Sequence, residues 1–253
     1  MLTNDCIATC VQEIGDKKML IHDMQKLYED GITPHTNGNF LDHLHLRKYI
    51  GKDYISTTQI WAEANLFWFV CGGMFHKSLC DNLRFSPNMR NEDILFGMVL
   101  FAKTDSIKVI KSALYIYRIR ANSTGDYAFS KSESLKSYPA YIADIANTFN
   151  NNLKIKQYYF SYSIAYICLG ILAFIDTLPP SEKDMRDKLN IFISKYIDWA
   201  FGALKLESDP RNLRTLLKPL EPYTKWVGSS KKLAYFAPHI FSILRACENI
   251  FKR

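Results

Sequence analysis

A chain of 253 residues with 48% hydrophobic and 14% aromatic side chains can bury a substantial core, which excludes general disorder. Its net charge of +7 belongs to the second half, because residues 131–253 contain 18 Lys or Arg and 11 Asp or Glu while the first 130 residues sum to zero. This asymmetry indicates an anionic partner, such as a phospholipid surface, a lipid-linked phosphate or nucleic acid, unless the lysines only solvate the surface.

Nucleic-acid binding would depend on charge and exposed tyrosines alone, because the sequence has no helix-turn-helix, zinc or RNP-like element. We therefore expect no nucleic-acid partner. The cysteines occur singly among apolar residues and are expected to be reduced, buried thiols of a cytosolic protein. They are Cys6, Cys10, Cys71, Cys80, Cys168 and Cys247. No CxxC pair is present, and His43 and His45 would diverge on a helix, so no metal site is predicted. The N-terminus lacks an export signal.

The first half mixes helix and strand signals. A helix with Ile7, Val11 and Ile14 on one face ends at Gly15, and residues 19–24 form a short buried strand. Residues 28–40 are predicted to be loop, residues 40–50 helical and residues 64–70 a strand that Gly72 and Gly73 end. A short extended stretch at 83–87, a helix over 94–102 capped by Asn91, and two strands, 107–110 and 113–118, follow.

From residue 130 the pattern changes to amphipathic and buried helices that prolines interrupt, among them Pro179 and Pro180. The sequence therefore predicts an α/β portion over 1–128 with a mixed sheet and a basic α-helical domain over 129–253. Residues 157–175 carry no charge and are long enough to span a bilayer. Their tyrosines and serines and the flanking charges favour a buried central helix of a bundle instead.

The residues with the strongest chemical potential are Asn91, Glu92 and Asp93. Carboxylates in the first turn of a helix lie beside unsatisfied backbone N–H groups, which keep them ionised at neutral pH. An ionised carboxylate that faces a cleft can act as a general base toward a sugar hydroxyl. The same three residues are also ordinary for the start of a helix, so the spacing alone leaves a purely structural role open.

Several elements in a fixed order extend this pattern over residues 67–124. An aromatic stretch leads to Gly72 and Gly73, and Phe75, Lys77 and the run Leu-Arg-Phe at 83–85 precede the Glu92-Asp93 pair. The run YIYRIRANS follows at residues 115–123. In this order the stretch resembles the C-terminal, acceptor-side part of family 2 glycosyltransferases of the GT-A type, which build bacterial surface polysaccharides, lipooligosaccharide or capsule.

The resemblance implies roles for individual residues. Asp93 would be the base of an inverting displacement and Glu92 would support it, while Gly72 and Gly73 would lie by the acceptor and sugar. Arg118 and Arg120 would lie near the donor diphosphate, where guanidinium groups bind phosphate oxygens in pairs, and strand alternation puts both on one face. A tight turn at the glycines and solvated arginines remain open as structural alternatives.

The chain departs from that family at its start. A complete member begins with a βαβ nucleotide-binding half and an Asp-x-Asp motif that holds Mg²⁺ or Mn²⁺, and neither occurs in this sequence. We therefore expect no cofactor in this chain, and a separately encoded N-terminal half as the partner that would bring the nucleotide sugar to a glycan acceptor. The predicted location is the cytoplasm, peripheral to the inner face of the plasma membrane. The alternative is a non-catalytic module that binds a glycan or a partner transferase.

Overall fold

The computed structural model describes residues 1–28, 40–53, 55–61, 71–119 and 138–251. Within these ranges the chain forms two compact units. The N-terminal unit comprises Met1–Ser86 and Asp93–Tyr127, and the C-terminal unit comprises Pro87–Glu92 and Ala128–Arg253. The first contains a mixed sheet with helices and the second is helical, which confirms the predicted α/β portion followed by an α-helical region.

The N-terminal unit is built around β1 (Met19–Tyr28). This strand pairs in parallel with β4 (Ser106–Ile119) and antiparallel with β3 (Gly73–Phe75), and β2 (Ile55–Ser56) lies antiparallel on the far side of β4. The first six residues of β1 are buried, so the predicted buried strand is confirmed, and it continues for four partly buried residues. Burial from neighbours on both sides explains the apolar run at its start.

β4 is one continuous strand, although two strands were predicted. Its pairing with β1 shifts register between Val109 and Ala113, and the intervening Lys111 and Ser112 are exposed. An irregularity of this kind lets a strand carry extra residues and turn their side chains to solvent without ending the pairing. The polar pair that indicated a break is therefore a bulge inside β4.

Helices cover the sheet. The helices of the N-terminal unit are α1 (Cys6–Ile14), α2 (Phe40–His43), α3 (Thr57–Trp61) and α4 (Glu92–Ala102). α1 ends at Gly15, whose φ of 58° suits glycine, as predicted. The helix predicted over residues 40–50 is shorter, because His45 adopts a φ of 57° between α2 and a 3₁₀ turn at Arg47–Tyr49.

The start of α4 corrects another prediction. Asn91 was expected to cap this helix through its side chain, but its backbone has a φ of 59°. Among the residues that the structure describes, the buried Oδ1 of Asn91 has no hydrogen-bond partner. Because the backbone of Asn91 is left-handed, its side chain points away from the N–H groups at the start of α4. A cap residue with an extended backbone would satisfy those groups. The helix itself is apolar on all sides and buried from Phe96 to Phe101.

A buried carboxylate joins β1 to the segment that begins at Phe40. Asp23 is 4% exposed, and its Oδ1 accepts hydrogen bonds from the backbone N–H groups of Met24 at 2.9 Å and Phe40 at 3.2 Å. Its Oδ2 accepts one from Arg47 Nη2 at 3.0 Å. A buried carboxylate is tolerated when both oxygens are satisfied and a cation balances its charge. Asp23 thus anchors α2 and the 3₁₀ turn to the sheet.

The C-terminal unit is a set of helices around a long central one. They are α5 (Ala143–Phe149), α6 (Asn152–Thr177), α7 (Lys183–Ala200), α8 (Leu213–Leu216), α9 (Ser229–Phe236) and α10 (Pro238–Phe251). α6 ends before Pro179 and Pro180, as predicted. It is long and apolar enough to cross a membrane, yet half of its most apolar 18-residue stretch is buried inside the protein.

Polar contacts along α6 favour its interpretation as a core helix. Tyr158 is fully buried and its hydroxyl donates to Asp209 Oδ1 at 2.5 Å, while Ser161 Oγ donates to the carbonyl of Trp199 at 2.8 Å. Burial and the Asp209 carboxylate both raise the pKa of Tyr158, so the phenol stays protonated. The predicted loop 28–40, apart from its end residues, and the predicted strand 64–70 lie outside the described residues.

The C-terminal unit has an ion pair whose loss should be measurable. Arg211 donates from Nε and Nη2 to both oxygens of Asp144 at 2.7 Å and stacks 4.8 Å from the Tyr162 ring. We expect Arg211→Ala to lower the free energy of unfolding by about 1–2 kcal/mol at pH 7, because paired hydrogen bonds and a cation–π contact are lost together. Urea denaturation followed by circular dichroism measures this.

The pH dependence of that loss follows from the same pair. The Arg211 guanidinium holds the pKa of Asp144 below its ordinary value, so the pair stabilises the fold above about pH 4, and this contribution disappears as the carboxylate is protonated at lower pH. The matched control is Lys154→Ala, which removes a single exposed pair with Glu207 and should cost less than about 1 kcal/mol. Equal losses in both variants would contradict the assignment.

Candidate functional site

Asp93 occupies the first turn of α4 and is partly exposed. The backbone N–H groups of this turn have no partners within the helix and favour a negative charge beside them. Glu92, the preceding residue, is exposed and belongs to the C-terminal unit, whereas Asp93 belongs to the N-terminal unit. The acid-base candidate of the N-terminal unit is therefore Asp93.

Within the N-terminal unit, Asp93 lies close to Cys71, the residue just before Gly72. Burial raises the pKa of the Cys71 thiol, a hydrogen bond with Tyr115 opposes this rise, and the negative charge of Asp93 adds to it. Burial and the contact with Cys71 likewise raise the pKa of the Tyr115 phenol. Cys71 thus interacts with Tyr115 of β4 through a hydrogen bond and with Asp93 of α4 through charge.

Gly72 and Gly73 are required by close packing. A Cβ on Gly73 would lie 2.3 Å from the carbonyl oxygen of Leu20 in the neighbouring strand, and a Cβ on Gly72 would lie 2.4 Å from the Phe40 ring. The carbonyl of Gly72 also accepts a hydrogen bond from the N–H of His22 at 2.9 Å. Gly73 begins β3, and both glycines serve strand pairing. Their proximity to Asp93 through Cys71 leaves a second role in ligand binding available.

The structure describes one of the two arginines that were predicted to lie near the donor diphosphate. Arg118 is exposed near the end of β4, three residues beyond Tyr115, and pairs in register with Leu27 of β1. Arg120 lies outside the described residues. The prediction that the two side chains share one face of a strand therefore stays a prediction.

Sequence reasoning missed Cys71 and Tyr115 as neighbours of Asp93. Both fall inside the stretch that carries the family resemblance, and Tyr115 opens its last motif. Neither residue type is a distinctive signal at those positions. Their proximity depends on pairing between segments more than 40 residues apart, which local spacing cannot reveal.

A possible metal-binding geometry occurs elsewhere in the N-terminal unit. The side chains of Cys6, Cys10 and His22 are buried, and their candidate ligand atoms lie within 4.8 Å of one another. Burial and the neighbouring Cys6 raise the pKa of Cys10 to about 11, so the Cys10 thiol holds its proton rather than acting as a thiolate. They pack with Leu20, Ile110 and Leu114 in an apolar cluster. This environment favours the predicted core thiols over a metal site.

A cleft in the C-terminal unit contains none of the predicted site residues. It is lined by residues of the segment 203–209 and of α10, including Asp209, Arg214 and Arg245. Its charged groups already have protein partners: Asp209 accepts from the N–H groups of Leu213 and Arg214, and Arg214 donates to the carbonyl of Ala234. The charges in this cleft thus hold helices together.

Alanine substitutions at Gly72 and Gly73 should lower the free energy of unfolding by different amounts, because the two close contacts differ. Gly73→Ala places a methyl group against a backbone carbonyl that cannot move without breaking the β1–β3 pairing, so we expect a loss of roughly 2–4 kcal/mol in unfolding free energy. Gly72→Ala meets a side-chain ring that can rotate, and should cost less. Chemical denaturation of both variants tests the order, and a larger loss for Gly72→Ala would contradict it.

Thiol reactivity tests the core interpretation of the cysteines. The prediction that all six thiols are buried is wrong for Cys71 and Cys247, which are exposed, and for Cys80, which is partly exposed. Cys247 should be alkylated by iodoacetamide first, whereas Cys10 and Cys168 should react only after unfolding, because burial raises the pKa of Cys168 to about 12 and that of Cys10 to about 11. Mass spectrometry of the labelled peptides gives the order. Retention of one zinc ion per purified chain, lost in Cys10→Ala, would contradict this interpretation and indicate a metal site.

Comparison with known proteins identifies no relative. No protein-family model matches the chain, and no curated protein matches its sequence. A function for this chain therefore depends on the motif order in residues 67–124 and on the geometry around Asp93.

Proposed function

We propose that this chain is the acceptor-side part of a glycosyltransferase that moves a sugar from a nucleotide-sugar donor to a surface-polysaccharide or lipid-linked glycan. The observation that carries the proposal is the position of Asp93: a partly exposed residue in the first turn of α4 whose charge acts on Cys71, the residue before Gly72 and Gly73. The resemblance of residues 67–124 to family 2 glycosyltransferases supports the same residues in the same order.

In the proposed reaction Asp93 is the general base of an inverting displacement. The oxygen of an acceptor hydroxyl attacks the anomeric carbon of the donor sugar, and its proton passes to the Asp93 carboxylate. The bond between that carbon and the diphosphate oxygen breaks, and the nucleoside diphosphate leaves with the electron pair. Glu92 is proposed to support the acceptor side.

The remaining site residues have binding roles in the proposal. Gly72 and Gly73 are proposed to lie by the acceptor and sugar, while the space that a Cβ would occupy at each is filled by the Phe40 ring and the Leu20 carbonyl. Arg118 and Arg120 would neutralise the donor diphosphate, for which guanidinium groups are suited by geometry and charge. Exposure of Arg118 at the surface of the unit is compatible with a phosphate ligand.

The chain does not fit the divalent metal that complete family members use. The sequence contains no Asp-x-Asp motif, and the metal-like cluster of the described residues consists of buried thiols and an imidazole, not of carboxylates suited to Mg²⁺ or Mn²⁺. No step of the proposed reaction is therefore assigned to a metal held by this chain. In the proposal, the donor and its metal are held by residues outside this sequence, for which a separately encoded N-terminal half is one candidate.

Because the chain lacks residues that would bind the donor, a second candidate function is also favoured. A non-catalytic module would use the same surface near Asp93 to hold a glycan or a partner transferase, without proton transfer. The two candidates differ in whether the charge of Asp93 affects rate or only affinity. In both, the proposed location is the cytoplasmic face of the plasma membrane.

Reconstitution tests the transferase proposal. The full chain is co-expressed with the polypeptide encoded directly upstream of it, and release of nucleoside diphosphate is measured over a panel of nucleotide sugars. We expect activity only in the pair, and we expect Asp93→Asn to lower kcat by about 10²–10⁴-fold with little change in KM, because the base acts in the transition state.

Asp105→Asn is the matched control, since Asp105 is an exposed aspartate of the same unit, and it should leave the rate unchanged. An active pair in which Asp93→Asn behaves like Asp105→Asn would overturn the assignment of the base. An inactive pair whose glycan binding is weakened by Asp93→Asn would support the non-catalytic module instead.

A further inference from the structure

α10 turns an apolar stripe toward solvent. Ile240, Ile243 and Leu244 are 54%, 64% and 50% exposed, although residues of this kind normally face a core. Their spacing of three and four residues puts them on one side of the helix, and the exposed Cys247 continues the same line. We call these four residues the outer face of α10.

The orientation of α10 is fixed by its other side. Phe241, Ser242, Arg245 and Ala246 line the cleft against the segment 203–209, and Arg245 Nη1 donates to the carbonyl of Lys205 at 2.5 Å. Rotating the outer face inward would break these contacts. The exposure of the apolar stripe is therefore a property of the packed helix.

The sequence around this helix is basic and rich in exposed aromatic residues. Residues 225–253 contain six Lys or Arg and one Glu. Trp226 and Phe236 are 65% and 60% exposed, and the Lys225 ammonium lies 5.1 Å from the Trp226 ring centroid. Apolar residues, Trp and Lys or Arg on one surface element are the combination by which amphipathic helices bind anionic membranes.

We propose that the outer face of α10 docks on a lipid surface with anionic headgroups. In this arrangement Ile240, Ile243 and Leu244 enter the boundary between headgroups and acyl chains, while the exposed Lys225 beside Trp226 stays at headgroup level. The positive charge complements such a surface directly. α10 lies on the membrane and does not cross it, because its 14 residues are too few to span a bilayer.

A second copy of the chain fits the outer face less well. Stable dimers bury about 800 Å² on each partner, which a stripe of three large side chains and one cysteine does not supply. A two-fold contact would also bring two strongly basic segments together at a cost in repulsion. Charge and area thus both favour lipid over self-association.

Lipid docking rests on the proposed function only in its biological setting, since a transferase acting on a lipid-linked acceptor works at a membrane. The docking itself needs neither a sugar donor nor the upstream polypeptide. A vesicle assay on the full chain alone therefore succeeds or fails independently of the transfer reaction.

Sedimentation with vesicles of phosphatidylcholine, with and without phosphatidylglycerol, tests the inference. We expect binding to the mixed vesicles that falls as salt is raised, and at least tenfold weaker partition for Ile243→Glu. The matched control is Ile191→Glu, which adds the same charge at an isoleucine of α7 that is 48% exposed, and it should change binding less than threefold. Circular dichroism checks that both variants remain folded.

Four results would overturn the inference. The first is that the chain fails to bind mixed vesicles. The second is that the two variants weaken binding equally, because the effect would then come from the change in net charge and not from the outer face. Concentration-dependent dimerisation that Ile243→Glu abolishes would identify a second copy as the occupant of the outer face. Binding that is independent of salt and of phosphatidylglycerol would exclude recognition of anionic headgroups.

Discussion

The close approach of β3 to β1 is the constraint on which the N-terminal unit depends. A side chain at Gly73 would strike the Leu20 carbonyl, so the two strands can pair only because the residue has no Cβ. This pairing sets the position of Cys71, whose thiol is affected by the charge of Asp93 in α4. On the other side, β4 pairs with β1 in parallel and carries Tyr115 to the same place. One buried strand thus positions three segments of the candidate site.

The elements that the sequence predicts well are those with a strong local pattern. The face predicted for α1 is wrong, because Ile7 and Val11 are exposed while Cys6 and Cys10 are buried. The apolar run of β1 and the uncharged run of α6 correspond to elements of the structure. Each element can be recognised from the spacing of its apolar residues or from the length of its apolar run, and both depend directly on burial. The division into an α/β part and a helical part follows from the same signals.

The features that the sequence does not predict depend on distant or unusual backbone. The Asp23–Arg47 pair joins residues 24 positions apart, and Lys111 and Ser112 resemble a strand end although they form a bulge. Asn91 has the composition of a cap but adopts a left-handed φ. At the site, the helix-start pattern and the order of the motifs could identify Asp93, whereas its electrostatic interaction with Cys71 exists only in the folded sheet.

That contact has an electrostatic consequence for the candidate site. The raised pKa values of Cys71 and Tyr115 keep the thiol and the phenol neutral at physiological pH, so neither adds a negative charge beside Asp93. A second anion there would repel the carboxylate and favour its protonation, which would remove its ability to accept a proton. Two neutral groups that can donate hydrogen bonds instead leave Asp93 as the one anion of this trio. Such an environment suits a carboxylate that must receive a proton from a bound hydroxyl.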